Sequence, residues 1–266
     1  MFQIGSNRNG LPNGKFPIRD RVKWIILSQR YQLKNNITHN QSLEALYDSK
    51  HAGYFEYSRP EMLPFVPESA RKILDVGCGA AGFSGTLKKL RPVEVWGVEL
   101  NKSASEVARG RIDKVFHAPF GPELDLPRNY FDVICFNDVL EHFADPGSVL
   151  RHAKTLLAPE GCIVASIPNF RFFDNMVKII VRKSARYVHE GIMDRAHLRI
   201  FTKSSIALLF DEAEMAVERV EGINSQYVSN KFAFFNVLTL GWISDMRFLQ
   251  FAVVAKSKPH NLVQKK

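Results

Sequence analysis

The sequence predicts an α/β protein built on a doubly wound, mainly parallel sheet. Three observations lead there. From Arg71 onward, short apolar runs alternate with helix-like stretches, the mark of a parallel sheet covered on both faces. The first of these runs ends in a glycine-rich turn that opens a helix. The last two runs break the alternation and suggest an antiparallel edge.

Taken in order, residues 1–17 are rich in Gly, Asn and Pro and read as a poorly ordered arm. Ile18–Lys34 places Val22, Ile25, Ile26 and Leu33 at helical spacing among Arg and Lys, a basic amphipathic helix. It can pack on its own domain or touch an anionic surface. Asn35–Asn40 is polar, and Gln41–Asp48 reads as a second helix. The expected strands are Lys72–Val76, Glu94–Glu99, Val115–His117, Phe131–Asn137, Gly161–Ile167, Val217–Gly222 and Phe248–Lys256. Helices are expected at Ala81–Leu90, Ser103–Ile112, Pro146–Leu157 and Ser204–Glu214. This divides the chain into an N-terminal extension (1–50), one domain (51–258) and a disordered tail (259–266). Two stretches, 170–203 and 230–245, read as lid-like inserts.

Composition narrows the class. With 266 residues, 45% of them apolar and 24% charged, the chain has the balance of a globular protein with a sizeable core. Cys78, Cys135 and Cys162 fit no zinc spacing, and an odd count argues against a disulfide framework. Reduced thiols and a cytoplasmic location are the expectation. No apolar h-region is seen at the N-terminus, and Phe232–Ile243 is short of the ~18 residues needed to span a bilayer. The net charge of +9 favours acidic partners or simple solubility. Aromatic and basic residues are not interleaved as in a nucleic-acid module, so no nucleic-acid partner is expected.

The most informative stretch is Ile73-Leu74-Asp75-Val76-Gly77-Cys78-Gly79-Ala80-Ala81-Gly82. Glycines let the backbone turn tightly and let a ligand approach without a Cβ in the way. Gly77, Gly79 and Gly82 match the dinucleotide spacing, which alone is weak. Asp75 separates two readings. Its carboxylate would repel a pyrophosphate, whereas S-adenosylmethionine presents an ammonium beside a sulfonium. A plainer reading has Asp75 only bracing the loop. Glu99 lies seventeen residues beyond Gly82, where a ribose-binding acid is expected. It could also be a solvated charge at a strand end.

The blocks ILDVGCGAAGFS, VWGVEL and FDVICFNDVLEHFADP, in that order, resemble the class I S-adenosylmethionine-dependent methyltransferases. GCIVASIPNF and GIMDRAHLRIFTKSSI resemble a bacterial small-molecule subgroup linked to cell-surface glycan biosynthesis. The resemblance implies a Rossmann-like sheet of seven strands with the last reversed, and S-adenosylmethionine as cofactor. It places Asp75, Gly77, Cys78, Gly79 and Gly82 around the methionine part, and Glu99 and Leu100 at the ribose. Asn137, with Asp138 and His142 beyond it, would lie beside the cofactor at the end of strand four. Where relatives carry Gly-Asp near the adenine, this chain has His117-Ala118, which leaves Ala118 and backbone groups for that contact. Upstream, Tyr54 would bond the cofactor carboxylate and Arg59 would hold cofactor or substrate; the alternative is an apolar plug with a surface arginine.

Methyl transfer is an in-line displacement that needs a positioned acceptor and often a base. His142 and His197 are the candidate bases, since imidazole titrates near working pH. Each could instead brace a loop. Asp138 and Glu141 read as braces, and no acid cluster suggests a metal. Phe170–Lys203 carries Arg171, Lys178, Arg182, Lys183, Arg186, Arg195, Arg199 and Lys203 against Asp174, Glu190 and Asp194. A basic lid suits a small anionic acceptor such as a sugar phosphate, nucleotide-sugar or carboxylate. It could equally be a solvated surface. Oxygen is the favoured acceptor atom. A nicotinamide-dependent oxidoreductase and a non-catalytic cofactor-binding scaffold are the competing readings. A monomer or homodimer with peripheral membrane contact fits the remaining features.

Overall fold

The structure, a computed structural model, describes residues 52–258. The expected N-terminal helices and the C-terminal tail lie outside the described residues, as does the Tyr54 side chain. Seven strands form one sheet: β1 (Lys72–Val76), β2 (Glu94–Glu99), β3 (Lys114–His117), β4 (Phe131–Asn137), β5 (Leu157–Pro168), β6 (Met215–Ile223) and β7 (Gln250–Ser257). Their spatial order is β3-β2-β1-β4-β5-β7-β6. The first five pair in parallel, and β7 runs antiparallel between β5 and β6. The reversed strand therefore lies inside the sheet, and β6 takes the edge.

Six helices connect or follow the strands: α1 (Gly82–Leu90), α2 (Lys102–Ala108), α3 (Pro146–Leu156), α4 (Phe173–Ile180), α5 (Lys203–Glu212) and α6 (Lys231–Leu238). Their starts follow capping chemistry. Asn101 accepts the Ala104 N–H, Asp145 accepts the Ser148 N–H ahead of Pro146, and Thr202 forms a capping box with Ser205. α2 stops at Ala108, short of the expected Ile112, where Arg109-Gly110 turns the chain.

Both faces of the sheet are buried, as the unbroken apolar runs require. Leu74, Val76, Ile134, Phe136 and Phe251 join one core; Ile73, Val95, Val133, Cys135 and Val164 join the other. All three cysteines are buried and unpaired. Among the described residues, no helix is long and apolar enough to cross a membrane.

Candidate active site

Strand order reverses direction of growth between β1 and β4, which opens a crevice at their carboxyl ends. Two inserts stand at that same end. Residues 169–202 follow β5 and residues 224–249 follow β6, which is parallel to β5 because each is antiparallel to β7. Asn169 ties them together by donating to the carbonyls of Asp245 and Phe248 at 3.0 and 2.9 Å. Phe173, Phe232, Ile243 and Met246 form a small core between them. Insert cations Lys178, Arg182, Lys183 and Arg186 are exposed, while Arg171 pairs with Asp245.

On the β1 side, the loop hangs from the carbonyl of Val98, which accepts from Gly77 and Cys78 at 2.8 and 3.1 Å. Gly77 and Gly79 take φ +70° and +54°, a region that penalises any side chain. Asp75, the penultimate residue of β1, is almost fully buried. Burial pushes its carboxyl up to about 7; the Ser84 hydroxyl opposes this and the negative Glu99 adds to it. Bracing of the loop falls to Glu99 instead. Its two oxygens accept the Gly79 and Asn101 N–H groups at 2.8 and 2.7 Å. Burial raises the Glu99 carboxyl as well, against those backbone bonds. A carboxylate has four lone-pair sites, so Glu99 retains acceptor capacity. Two buried acids around one loop make the crevice receptive to a cation and hostile to a diphosphate.

Three residues expected at the ligand also have contacts within the protein. The Cys78 side chain turns into the core against Gly97. Gly82 is required by chain packing, because a Cβ there would lie 2.6 and 2.7 Å from the carbonyl oxygens of Glu56 and Tyr57. Arg59 is buried, with φ 46°. It pairs with Asp138, donates to the Ser166 hydroxyl at 2.7 Å and faces Glu61 at 3.0 Å. Gln250 donates to both oxygens of Asp138 at 2.7 and 2.6 Å. Asp138 itself sits at φ 56°, held there by this network. Ser166 and Gln250 belong to no motif, and sequence reasoning missed both. Leu100 and Ala118 are half-buried, and the Leu100 carbonyl lies 2.9 Å from the His117 ring. The buried amide atoms of Asn137, last residue of β4, have no hydrogen-bond partner among the described residues.

One turn past β4, Glu141, His142 and His197 come together. The 3₁₀ turn Leu140–His142 carries the first two, and the loop after α4 brings the third. Leu198 and Arg199 N–H groups bond the Glu141 carbonyl at 2.9 and 3.0 Å, pinning that loop to the turn. Asp194 shapes it by accepting the Ala196 N–H at 2.9 Å. The two imidazoles meet edge to face at 4.8 Å. Burial, then the neighbouring His197, pulls His142 down to about 4. Burial and nearby Asp138 hold the Glu141 carboxyl well above its usual range. The ligand atoms of the three residues lie within 4.8 Å of one another, a group that could hold a metal ion.

A family model described as a methyltransferase domain matches residues 47–220, which spans the loop, both acids and the histidine cluster. The chain belongs to this methyltransferase family. It is a class I S-adenosylmethionine-dependent methyltransferase. Among curated relatives, a ubiquinone biosynthesis O-methyltransferase of Aeromonas salmonicida is 28% identical over 61% of this chain and 70% of its own. One from Actinobacillus pleuropneumoniae is 27% identical over 71% and 86%. Among solved structures, a methyltransferase of Archaeoglobus fulgidus superposes with a TM-score of 0.54 at 18% identity, covering 78% of this chain and 95% of that one. The 1,6-didemethyltoxoflavin N1-methyltransferase of Burkholderia thailandensis gives 0.56 at 15%, covering 86% and 90%. At such identities the two structures speak for the fold alone.

The methyltransferase's glycine loop makes a direct prediction. Gly82→Ala drives a methyl group into two backbone carbonyls, so the segment 55–57 must move. We expect a loss of about 1–3 kcal/mol in stability and a weaker grip on S-adenosylhomocysteine. Gly85→Ala, whose Cβ would meet Arg111 at an ordinary 3.5 Å in the same helix, should leave both unchanged or gain up to ~1 kcal/mol. Parallel thermal melts, with and without ligand, check the pair.

Proposed function

We propose that this methyltransferase transfers the methyl group to an oxygen of a small anionic acceptor seated over the Glu141–His142–His197 cluster. That buried cluster, one turn beyond β4 and beside the cofactor crevice, is the observation on which the proposal rests. The cofactor occupies the β1–β2 side with Asp75 and Glu99, which leaves the β4–β5 side to the acceptor. Asn137 stands between the two and offers its unpartnered amide. The exposed insert cations supply a field that suits phosphate or carboxylate groups. Oxygen as the acceptor atom is in keeping with the relatives named as O-methyltransferases.

His197 is the better proton acceptor of the pair. It is the less deeply buried of the two imidazoles, and its Nε2 faces a Glu141 oxygen at 3.8 Å. His142 resists protonation, being buried and in contact with His197. It serves better to hold the acceptor. The test is release of S-adenosylhomocysteine across a panel of hydroxyl compounds bearing phosphate or carboxylate groups. With an accepted compound, His197→Ala should lower kcat by about 10²–10⁴-fold, and the affinity for S-adenosylhomocysteine should stay unchanged. Undiminished rates in both His142→Ala and His197→Ala would remove the cluster from the chemistry.

A further inference from the structure

We infer that Asn224 and Gln250 are positioning residues for methyl transfer: they complete a ring of five side chains that ties the strap over the glycine loop to the root of the insert 225–249. The cofactor seat and the acceptor side that the ring connects are those of the proposed function, and the inference rests on that reading.

The ring closes through a contact on every side. Asn224 Nδ2 donates to Gln250 Oε1 at 2.6 Å, and Gln250 Nε2 donates to both oxygens of Asp138 at 2.7 and 2.6 Å. Asp138 pairs with Arg59, whose Nε faces Glu61 at 3.0 Å. Glu61 Oε1 lies 3.4 Å from Asn224 Nδ2, which returns to the start. An ionised carboxylate can only accept, so Asp138 holds the Gln250 amine toward itself and leaves the Gln250 oxygen for Asn224.

The members stand on different elements. Arg59 ends the strap, and Glu61 lies in the 3₁₀ turn after it. Asp138 is the first residue past β4, between Asn137 and the turn that carries Glu141 and His142. Asn224 follows β6 and Gln250 begins β7, so their bond clamps the two ends of the insert between them. The strap is in turn seated on the glycine loop. The Ala80 N–H donates to the Phe55 carbonyl at 2.9 Å, and a Cβ on Gly79 would lie 2.7 Å from that oxygen. The Tyr57 hydroxyl of the strap bonds that of Tyr227 in the insert, a second tie between the same two elements.

The backbone marks the ring as held against strain. Arg59, Asp138 and Asn224 have φ 46°, 56° and 60°, so three of the five members lie in the left-handed region. Asn and Asp are enriched there, and arginine is not. Such conformations persist where the surroundings over-determine them, and they cluster at ligand clamps.

A ligand that binds only beneath a seated strap shifts the protein toward that state. The ring makes the seated strap, the aim of the turn after β4 and the ordered insert one arrangement. Cofactor binding therefore orders the acceptor side, and by linkage an ordered acceptor side tightens the cofactor by the same factor.

Hydrogen–deuterium exchange on the full chain, with S-adenosylhomocysteine as the probe, tests this. In the wild type the ligand should slow exchange in both 52–59 and 225–249. Asn224→Gly removes the amide, and glycine takes φ 60° without strain. In that variant the ligand should protect 52–59 alone, and calorimetry should show it bound about 5–50-fold more weakly. Gln250→Met breaks the ring at the next link and should give the same pattern. A merely architectural clamp behaves otherwise: exchange in 225–249 rises with and without ligand alike, and its slowing by the ligand persists. That result overturns the inference and leaves the cofactor seat standing, as does a wild-type insert indifferent to a ligand that protects the strap. Binding that protects neither segment overturns both.

Discussion

Asp75→Asn should raise the melting temperature of the ligand-free protein while abolishing cofactor binding. The argument is one of linkage. The Asp75 carboxyl is buried and pushed up to about 7, from an ordinary value near 4 in the unfolded chain. Between those two values the folded protein holds a proton that the unfolded chain has released. Stability therefore falls as pH rises through that window, and the loss is complete above neutrality. At about 1.4 kcal/mol per tenfold, the penalty at pH 8 is roughly 2–4 kcal/mol. Asparagine cannot ionise, so it removes the penalty, which corresponds to a gain of about 5–10 °C. The same substitution removes the charge that receives the cofactor's ammonium. In the wild type, that cation should pull the Asp75 proton off, so binding releases a proton and weakens as pH falls below about 7. Calorimetry in two buffers of different ionisation enthalpy measures the release directly. A variant that melts lower and still binds S-adenosylhomocysteine would show that Asp75 serves only the architecture.

The loop and its acids were legible because their chemistry is local. Asp75, Gly77 and Gly79 lie within five residues, and the φ values confirm why glycine is needed at two of them. Alternation of apolar runs was similarly local, and it located all seven strands. The order of the last two was not local. Nothing in Phe248–Lys256 says whether it pairs beside β5 or at the edge; in the fold it goes inside, with Phe251–Ala255 apolar and buried on both faces. The boundaries of β5 also moved. It begins at Leu157, four residues before the expected Gly161, since the bulge opposite Phe131–Val133 carries the strand through Pro159.

Sequence alone placed Arg59 at a ligand and Glu141 as a brace; the Glu141 carbonyl does hold the His197 loop, and Arg59 has long-range contacts of its own. Arg59 meets Asp138, 79 positions away, and Ser166, 107 away. Such pairings leave no signal in spacing. His197 is a middle case. Its polar neighbours marked it as more than core, and the structure then brings it against His142 across 55 residues. Glu141 and Asp194 acquire meaning only from that encounter: one faces the His197 ring at 3.8 Å, the other shapes the loop that delivers that ring.

Arg59→Met should be the most damaging single change at this end of the sheet. The guanidinium neutralises Asp138 and Glu61 together, and its side chain is about nine-tenths buried. Methionine fills the space but strands both acids, Asp138 still facing Gln250 and Ser166. Removing one partner of a buried pair typically costs about 3–5 kcal/mol, most of it from the charge left behind. Asp138→Asn in the same chain relieves one stranded charge, so the double variant should recover more than about 1 kcal/mol relative to Arg59→Met. Function should follow the same thermodynamics. Residues 52–59 lie on the glycine loop, with the Ala80 N–H bonded to the Phe55 carbonyl at 2.9 Å, and Arg59 is the bolt at the end of that strap. Loosening it should weaken S-adenosylhomocysteine binding in the single variant and restore part of it in the double. Urea unfolding and ligand titration on the four-member cycle separate the outcomes. A double variant no more stable than Arg59→Met would mean that packing of the arginine stem, and not the pairing of its charge, holds the strap against the sheet.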